Sequence, residues 1–334
     1  MASLLVRMAS VLWVPRFAGA VGAIANAWFV VLWSRGTAGE SVRALWLELT
    51  ASAVAAAGLF TFGALLNDDL DRGVDTARRP LRSSPARVQP SASALWSTLA
   101  LLAAIGAASV FGPWSVRLTA LVAAGVVVFN AIGRFVPGLG LTLFAGLHAA
   151  AMLVPKPGFD FLWPVLLVFT HALVVATAVH VIGRRPPPLT ARAGVAAVLG
   201  WISISGFMLW LMTRQPAPLP IDAVGPMPQT EPLRSLWALD VSPWIAVMPG
   251  VIWLLFFVVA ARKVSAVGPG ERAAEKVDRY GAMWMPLLGL GWLLPVVGLE
   301  LSLILAALAL GATVGVAFLR DAYELADRPV AYRR

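Results

Sequence analysis

Long apolar stretches separated by short polar segments recur along the whole chain. Each stretch has about twenty residues, enough for one helix to cross the hydrocarbon core of a bilayer. Only Gly298 separates the last two stretches, so the pattern predicts either ten spans or nine with a bent final helix. The expected fold class is an all-α, polytopic transmembrane helix bundle. Its candidate spans lie at 17–34, 45–66, 92–112, 115–133, 139–154, 161–183, 193–213, 242–262, 281–297 and 299–319.

The segments between these spans predict the remaining organisation. We expect a single integral-membrane domain over 1–334, with a cytoplasmic motif loop at 67–90 and a Pro-rich outer loop at 214–241. Acidic and basic residues alternate over 264–280, which fits a short amphipathic helix or a solvated connector on the inner side. The N-terminal apolar stretch has no small-residue cleavage site, so it is expected to remain as the first helix.

The bulk composition supports a membrane protein. The chain has 334 residues, of which 59% are hydrophobic and only 13% are charged. The mean hydropathy is +0.81, which is unlike that of a soluble domain of this length. The sequence contains no cysteine. A disulfide framework, a thiolate metal site and a cysteine nucleophile are therefore excluded.

The net charge of +9 is explained by topology rather than by nucleic-acid binding. With the N-terminus in the cytoplasm and ten spans, most of the 26 lysines and arginines fall in the inner segments. This bias predicts the orientation of the chain. The acidic motif at the end of the second span then faces the cytoplasm. The expected location is the bacterial cytoplasmic membrane, with membrane lipids as partners and no nucleic acid.

An acidic cluster follows directly after the second apolar stretch. If the helix continues, Asn67, Asp71 and Asp75 recur at i, i+4 and i+8, and Asp68 lies beside them on roughly the same face. Such crowded carboxylates repel one another unless a cation binds them. Oxygen ligands suit Mg²⁺, which also binds substrate phosphates. Because ionisable groups at a membrane boundary are functional by default, the cluster predicts a magnesium–diphosphate site.

The same residues resemble the first signature of the UbiA superfamily of intramembrane prenyltransferases. That signature reads Asn-Asp-x-x-Asp-x-x-x-Asp and is complete here. An Arg-Pro segment follows it in the family, as it does here. The first span carries a looser Arg…Asn pattern, and an arginine follows the fourth span where the family usually has a lysine. The substrate-binding residues that these weaker matches imply are Arg16, Asn26, Arg79, Arg82 and Arg134.

The second aspartate motif of the family is missing. It is expected at the end of the sixth span, but the region near 176–190 contains no acid and instead carries His180, Arg184 and Arg185. Guanidinium groups bind diphosphate oxygens through paired hydrogen bonds. We therefore expect a hybrid site with a metal on one side and these arginines on the other, although ordinary inner-loop charge also explains the arginines.

The resemblance implies a UbiA-like bundle and a prenyltransferase activity. In that reading, Asp68, Asp71 and Asp75 are the catalytic residues and hold Mg²⁺, with Asn67 as a supporting ligand. The diphosphate of a prenyl donor ionises there, and a lipophilic acceptor attacks the allylic cation. A cyclase that folds the cation onto itself is a close relative of this function. The alternative from another class is a catalytically degenerate lipid-binding or transport protein of the same fold.

Two further histidines lie on apolar spans. His148 and His171 are expected to form hydrogen bonds to neighbouring helices, while a role in acceptor binding stays open for each.

Overall fold

The computed structural model describes residues 14–38, 42–78, 90–214 and 244–327, and these form ten α-helices and no strand. The helices are α1 (Val14–Ala38), α2 (Val42–Arg78), α3 (Pro90–Ala108), α4 (Pro113–Ala131), α5 (Pro137–Met152), α6 (Trp163–Ile182), α7 (Ala191–Arg214), α8 (Trp244–Val267), α9 (Glu271–Val297) and α10 (Leu299–Asp327).

The predicted fold class is confirmed. In the part of the chain that is described, nine helices are long and apolar enough to cross a bilayer, and α5 is the shorter apolar one. With 16 residues, α5 is about 24 Å long, somewhat less than the hydrocarbon thickness. The last two stretches form separate helices, because Gly298 adopts a φ of +89° between α9 and α10. The described residues therefore contain ten helices rather than nine with a bent end.

Two expected segments differ from the structure. The range 67–90, which we expect to be a loop, is helical as far as Arg78, and α3 begins at Pro90. The reason is that no proline interrupts the backbone hydrogen bonds of α2 before Pro80. The range 264–280 is not a separate helix or connector, since α8 continues to Val267 and α9 already begins at Glu271. The Pro-rich outer loop lies outside the described residues apart from its first position.

Six helices form a ring in which each packs against the next: α1, α2, α4, α5, α6 and α9. The other four helices pack on the outside of this ring. The main buried core is built from α1, α5, α6 and α9. The outer surfaces of the bundle carry many exposed Leu, Val, Trp and Phe side chains. Apolar side chains of this kind are suited to contact with lipid. The helical backbone is suited as well, because each helix satisfies its own backbone hydrogen bonds.

Close contacts between helices show the relative directions of the ring helices. Gly22 of α1 packs against Ala282 of α9, and Gly36 packs against Val297, so these two helices are parallel. A Cβ atom at Gly22 would lie 2.8 Å from the Ala282 carbonyl oxygen, so the approach requires glycine. Helix α6 runs antiparallel to α9. The start of α1 and the ends of α2 and α6 therefore lie at one end of the bundle, here named the motif end.

The opposite end, here named the far end, is closed by aromatic rings. The Trp33 ring stacks on Phe161 with centroids 4.3 Å apart, and Phe161 makes an edge contact of 5.3 Å with Trp292. Phe29 makes a similar edge contact of 6.3 Å with Phe159. All five side chains are buried. These residues are called the aromatic cluster below.

Candidate functional site

The acidic motif lies on a continuous helix. Helix α2 extends to Arg78, so all four motif residues lie on one helix. Their backbone positions are therefore those that the predicted one-face arrangement requires. Asn67 is half-buried, and the Asp68 side chain is only 9% exposed. The side chains of Asp71 and Asp75 lie outside the described residues, so their orientation stays a prediction.

The first acid of the motif is paired across two helices. Arg16 of α1 donates a hydrogen bond from Nη2 to Oδ2 of Asp68, which makes a partly buried ion pair. A carboxylate that is this buried needs an opposite charge or hydrogen bonds to remain ionised. The pair therefore keeps Asp68 charged at the motif end and fixes α1 against α2 there.

The donors at this position fit a hard divalent cation. Asn67 and Asp68 offer an amide oxygen and a buried carboxylate on successive residues of one helix. Among the side chains that the structure describes, no group of three His, Cys, Asp or Glu residues forms a complete metal site. Any further ligands would come from Asp71 and Asp75, and oxygen donors of this kind are those that Mg²⁺ prefers.

The end of α6 presents two exposed arginines. Arg184 and Arg185 follow the helix, and both side chains are exposed. The His180 ring Nε2 lies 2.9 Å from the Pro187 carbonyl oxygen. A carbonyl oxygen only accepts, so Nε2 carries the proton and donates. His180 therefore positions the arginine-bearing loop by a backbone contact.

Arg184 takes an unfavourable backbone conformation. Its φ of +49° lies in the left-handed region, while Gly183 just before it has an ordinary φ. Glycine is required at 183 for another reason: a Cβ atom there would lie 2.8 Å from the Val179 carbonyl oxygen and 3.1 Å from the Ala274 Cβ. The left-handed turn that ends α6 therefore falls on an arginine, and strain of this kind is common at functional sites.

Replacing Arg184 with glycine is expected to stabilise the fold by about 1 kcal/mol relative to alanine at the same position. Both variants remove the guanidinium, so their difference reports the left-handed backbone alone. The measurement is the thermal unfolding midpoint in detergent micelles. Equal midpoints for Arg184→Gly and Arg184→Ala would contradict the strain.

The structure brings acids to this region that the sequence reasoning missed. Asp278 of α9 lies close enough to Arg185 and Glu275 for their charges to act on it. Asp278 follows Ala274 by four residues and so lies on the same side of α9, and Ala274 is the residue that contacts Gly183 at the end of α6. The available signal was the acid itself, but the charge pattern of 264–280 predicts a segment outside the bundle.

The other predicted residues are distributed as follows. Arg134 lies after α4 near the motif end and stacks on the Phe135 ring at 4.7 Å. Asn26 is buried deeper in α1. Nε2 of His171 lies 3.0 Å from the Gly281 carbonyl oxygen on α9, which is the interhelical hydrogen bond expected for it. His148 makes an edge contact of 4.6 Å with Phe144. Arg79 and Arg82 lie outside the described residues.

Comparisons with known proteins identify the fold. No family model matches the chain, and no curated protein matches it in sequence. A solved structure of digeranylgeranylglyceryl phosphate synthase, a membrane prenyltransferase of the UbiA superfamily, is similar, with a TM-score of 0.52. The similarity covers 89% of this chain and 99% of that chain at 12% identity. The chain has the UbiA-type fold. At this identity the likeness shows the fold alone.

Within this UbiA-type fold, the motif end gathers two groups of charged residues. One group joins the α2 motif to α1 through the ion pair between Asp68 and Arg16. The other lies where the end of α6 approaches α9, with Arg185 on one side and Asp278 on the other, and the Arg185 charge acts to lower the pKa of Asp278. Helix α1 packs against both α2 and α9, so it lies between the two groups.

Proposed function

We propose that the protein is an integral-membrane prenyltransferase, which moves an isoprenoid chain from a prenyl diphosphate to a lipophilic acceptor. The observation that carries the proposal is the partly buried ion pair between Asp68 and Arg16. It keeps a charged acid of the Asn-Asp-x-x-Asp-x-x-x-Asp pattern at one end of an apolar bundle. Charged groups in such a position are costly, and by default they mark a functional site.

The diphosphate of the donor binds at the motif end. Arg16 is beside the motif, and Arg184 and Arg185 are exposed at the same end of the bundle. Guanidinium groups bind diphosphate oxygens by charge-assisted hydrogen bonds. His180 acts indirectly in this proposal, because its hydrogen bond to Pro187 holds the loop that carries the two arginines.

The acidic residues of α2 would hold Mg²⁺, with Asp68, Asp71 and Asp75 as carboxylate ligands and Asn67 as a supporting oxygen. Such an ion would neutralise the charge that develops on the leaving diphosphate. Arg16 has a separate role, since it keeps Asp68 ionised and available.

The reaction exchanges one bond for another at the allylic carbon of the donor. The bond from this carbon to the diphosphate oxygen breaks, and the diphosphate leaves with the electron pair. The acceptor then bonds to the carbon and loses a proton. The apolar core between α1, α5, α6 and α9 houses the hydrocarbon parts of both substrates and excludes water from the cation.

We propose that the motif end faces the cytoplasm. The distribution of lysine and arginine along the sequence supports this orientation.

The experiment that tests the function is release of inorganic diphosphate by the purified protein in lipid nanodiscs. Geranyl, farnesyl and geranylgeranyl diphosphates are supplied with a membrane lipid extract, with and without Mg²⁺. We expect release that depends on both Mg²⁺ and the extract. Donor binding without any release of diphosphate would instead support the alternative, a catalytically degenerate lipid-binding protein. The absence of the second aspartate motif is the argument for that alternative.

A further inference from the structure

Helices α8 and α9 form a hairpin whose turn lies at the motif end. Ala274, near the start of α9, contacts Gly183 at the end of α6, and this contact gives the position of the turn. Within the turn, Gly268 and Gly270 take φ values of +79° and +154°. The end of α8 and the start of α9 therefore lie at the same depth in the membrane.

The first two turns of α9 carry acids and bases on separate stripes. Every acid is followed directly by a base, and the two sets each recur at i, i+4 and i+7. The acids are Glu271, Glu275 and Asp278, and the bases, here named the basic stripe, are Arg272, Lys276 and Arg279. Because successive residues of a helix are about 100° apart, the two stripes face different neighbours.

The contacts of α9 with the rest of the bundle show which stripe faces outwards. Asp278 lies four residues after Ala274, which contacts α6, and four residues before Ala282, which contacts α1. The acids are therefore on the side that faces these two helices. The basic stripe is continued at helical spacing by side chains that are only half-buried, namely Met283, Leu287 and Leu290. It lies on the outer side of α9.

A lysine of α8 approaches the basic stripe at a tyrosine. Nζ of Lys263 lies 5.8 Å from the centre of the Tyr280 ring, and Cζ of Arg279 lies 5.5 Å from the same centre. The ring attracts each cation, whereas the two cations repel each other. No carboxylate of the described residues forms an ion pair with either of them. An anion bound here would offset the repulsion.

The position of these cations matches that of phospholipid headgroups. The rise of α9 from Arg272 to Arg279 is about 10 Å, and the apolar part of the helix follows at once. Helix α8 shows the same order on its outer surface. Its exposed apolar side chains are followed one turn later by the exposed Arg262, and they are Val251, Leu254, Leu255 and Val258. One outer surface thus offers apolar groups to acyl chains and cations to a headgroup.

We propose that the outer face of the α8–α9 hairpin binds an anionic phospholipid of the leaflet at the motif end. Lys263 and Arg279 hold its phosphate, and the acyl chains lie along the apolar continuation of the basic stripe. Basic sites between transmembrane helices are typical binding sites for such headgroups. A soluble acidic partner fits less well, because the site continues into apolar side chains at membrane depth. This site is on the opposite side of α9 from the acids and does not depend on the proposed function.

The test compares dioleoylphosphatidylglycerol with dioleoylphosphatidylcholine, which share their acyl chains but differ in net charge. Affinities are measured by native mass spectrometry from the lipid adducts of the full-length protein. The wild type is expected to bind phosphatidylglycerol more tightly. The double variant Lys263→Gln with Arg279→Gln should weaken phosphatidylglycerol binding about twentyfold, because each cation near the headgroup contributes a factor of about five. Its binding of phosphatidylcholine should not change.

Two control variants separate this site from a general effect of charge. Arg117 and Lys156 are exposed towards the far end, and Arg117 also lies over an aromatic ring, that of Trp114, at 4.6 Å. Arg117→Gln with Lys156→Gln removes the same charge and should keep the preference for phosphatidylglycerol. Lys263→Arg with Arg279→Lys retains both charges at the hairpin and should keep it too.

Equal affinity of the wild type for the two lipids would overturn the proposal. A preference that persists in Lys263→Gln with Arg279→Gln would overturn it as well, and so would an equal loss in the far-end control, which would indicate attraction by total charge. Glycerol phosphate has the headgroup chemistry without acyl chains. If it displaced phosphatidylglycerol at equal concentration, the site would be one for a soluble phosphate and the lipid assignment would be wrong.

Discussion

Replacing Asp68 with asparagine should lower Mg²⁺-dependent diphosphate release at least about a hundredfold. The substitution preserves the size of the side chain and removes only its charge. Asparagine is a much weaker ligand for a hard cation, and the leaving diphosphate would lose that stabilisation. The measurement is the rate of diphosphate release at saturating donor, together with a size-exclusion profile to verify that the variant is folded.

Asp69 provides the matched control for this variant. It is the next residue on the same helix and is half-buried, yet it falls outside the Asn-Asp-x-x-Asp-x-x-x-Asp pattern. Asp69→Asn makes the same chemical change one position away and is expected to retain most of the activity. A similar loss of activity in both variants would indicate a general effect of charge at this end of α2 and would count against a specific metal ligand.

Replacing Arg16 with methionine should destabilise the bundle by about 3 kcal/mol or more. The change leaves the Asp68 carboxylate, with a side chain only 9% exposed, without its paired cation. A second substitution, Asp68→Leu, removes the carboxylate that Arg16 neutralises and should restore most of the lost stability. Chemical unfolding of the two single variants and the double variant measures the coupling. Simple additivity of the two effects would contradict the ion pair.

The described residues include a second ion pair between α1 and α2, and a variant of it distinguishes an effect on stability from an effect on function. Arg35 of α1 donates hydrogen bonds to both carboxylate oxygens of Glu48 on α2, and this pair lies towards the far end. Arg35→Met should therefore reduce stability but leave donor binding unchanged. Arg16→Met should reduce both. Equal donor binding by these two variants would assign Arg16 a purely structural role.

The helices themselves were predictable because a bilayer offers no other partner for backbone groups. Each apolar stretch must satisfy its own hydrogen bonds, so the length of the stretch indicates a helix directly. The predicted ends of the helices were least reliable where polar residues continue a helix beyond its apolar stretch. The polarity of 67–90 predicts a loop, whereas the spacing of the motif acids requires a helix, and α2 extends through the motif to Arg78. Polarity marks the water boundary, whereas the helix ends only where a proline or glycine interrupts it.

The pairing of residues on different helices was not predictable in the same way. Arg16 and Asp68 were both candidates, but their contact spans 52 positions and depends on how α1 and α2 are placed against each other. Asp278 was overlooked for a related reason. Its segment has the charge pattern of a surface helix, and only the close approach of α6 to α9 at Gly183 and Ala274 brings it near Arg185.

The aromatic cluster has a consequence for the cell as well as for the fold. A bundle with charged groups at one end and a hydrated passage to the other would allow protons to leak through the membrane. Trp33, Phe161 and Trp292 make ring contacts with one another at the far end, and their ring faces offer little to hydrogen-bond a file of water molecules. We expect such packing to oppose proton leakage, so that charged groups near one surface do not dissipate the electrical potential across the bilayer.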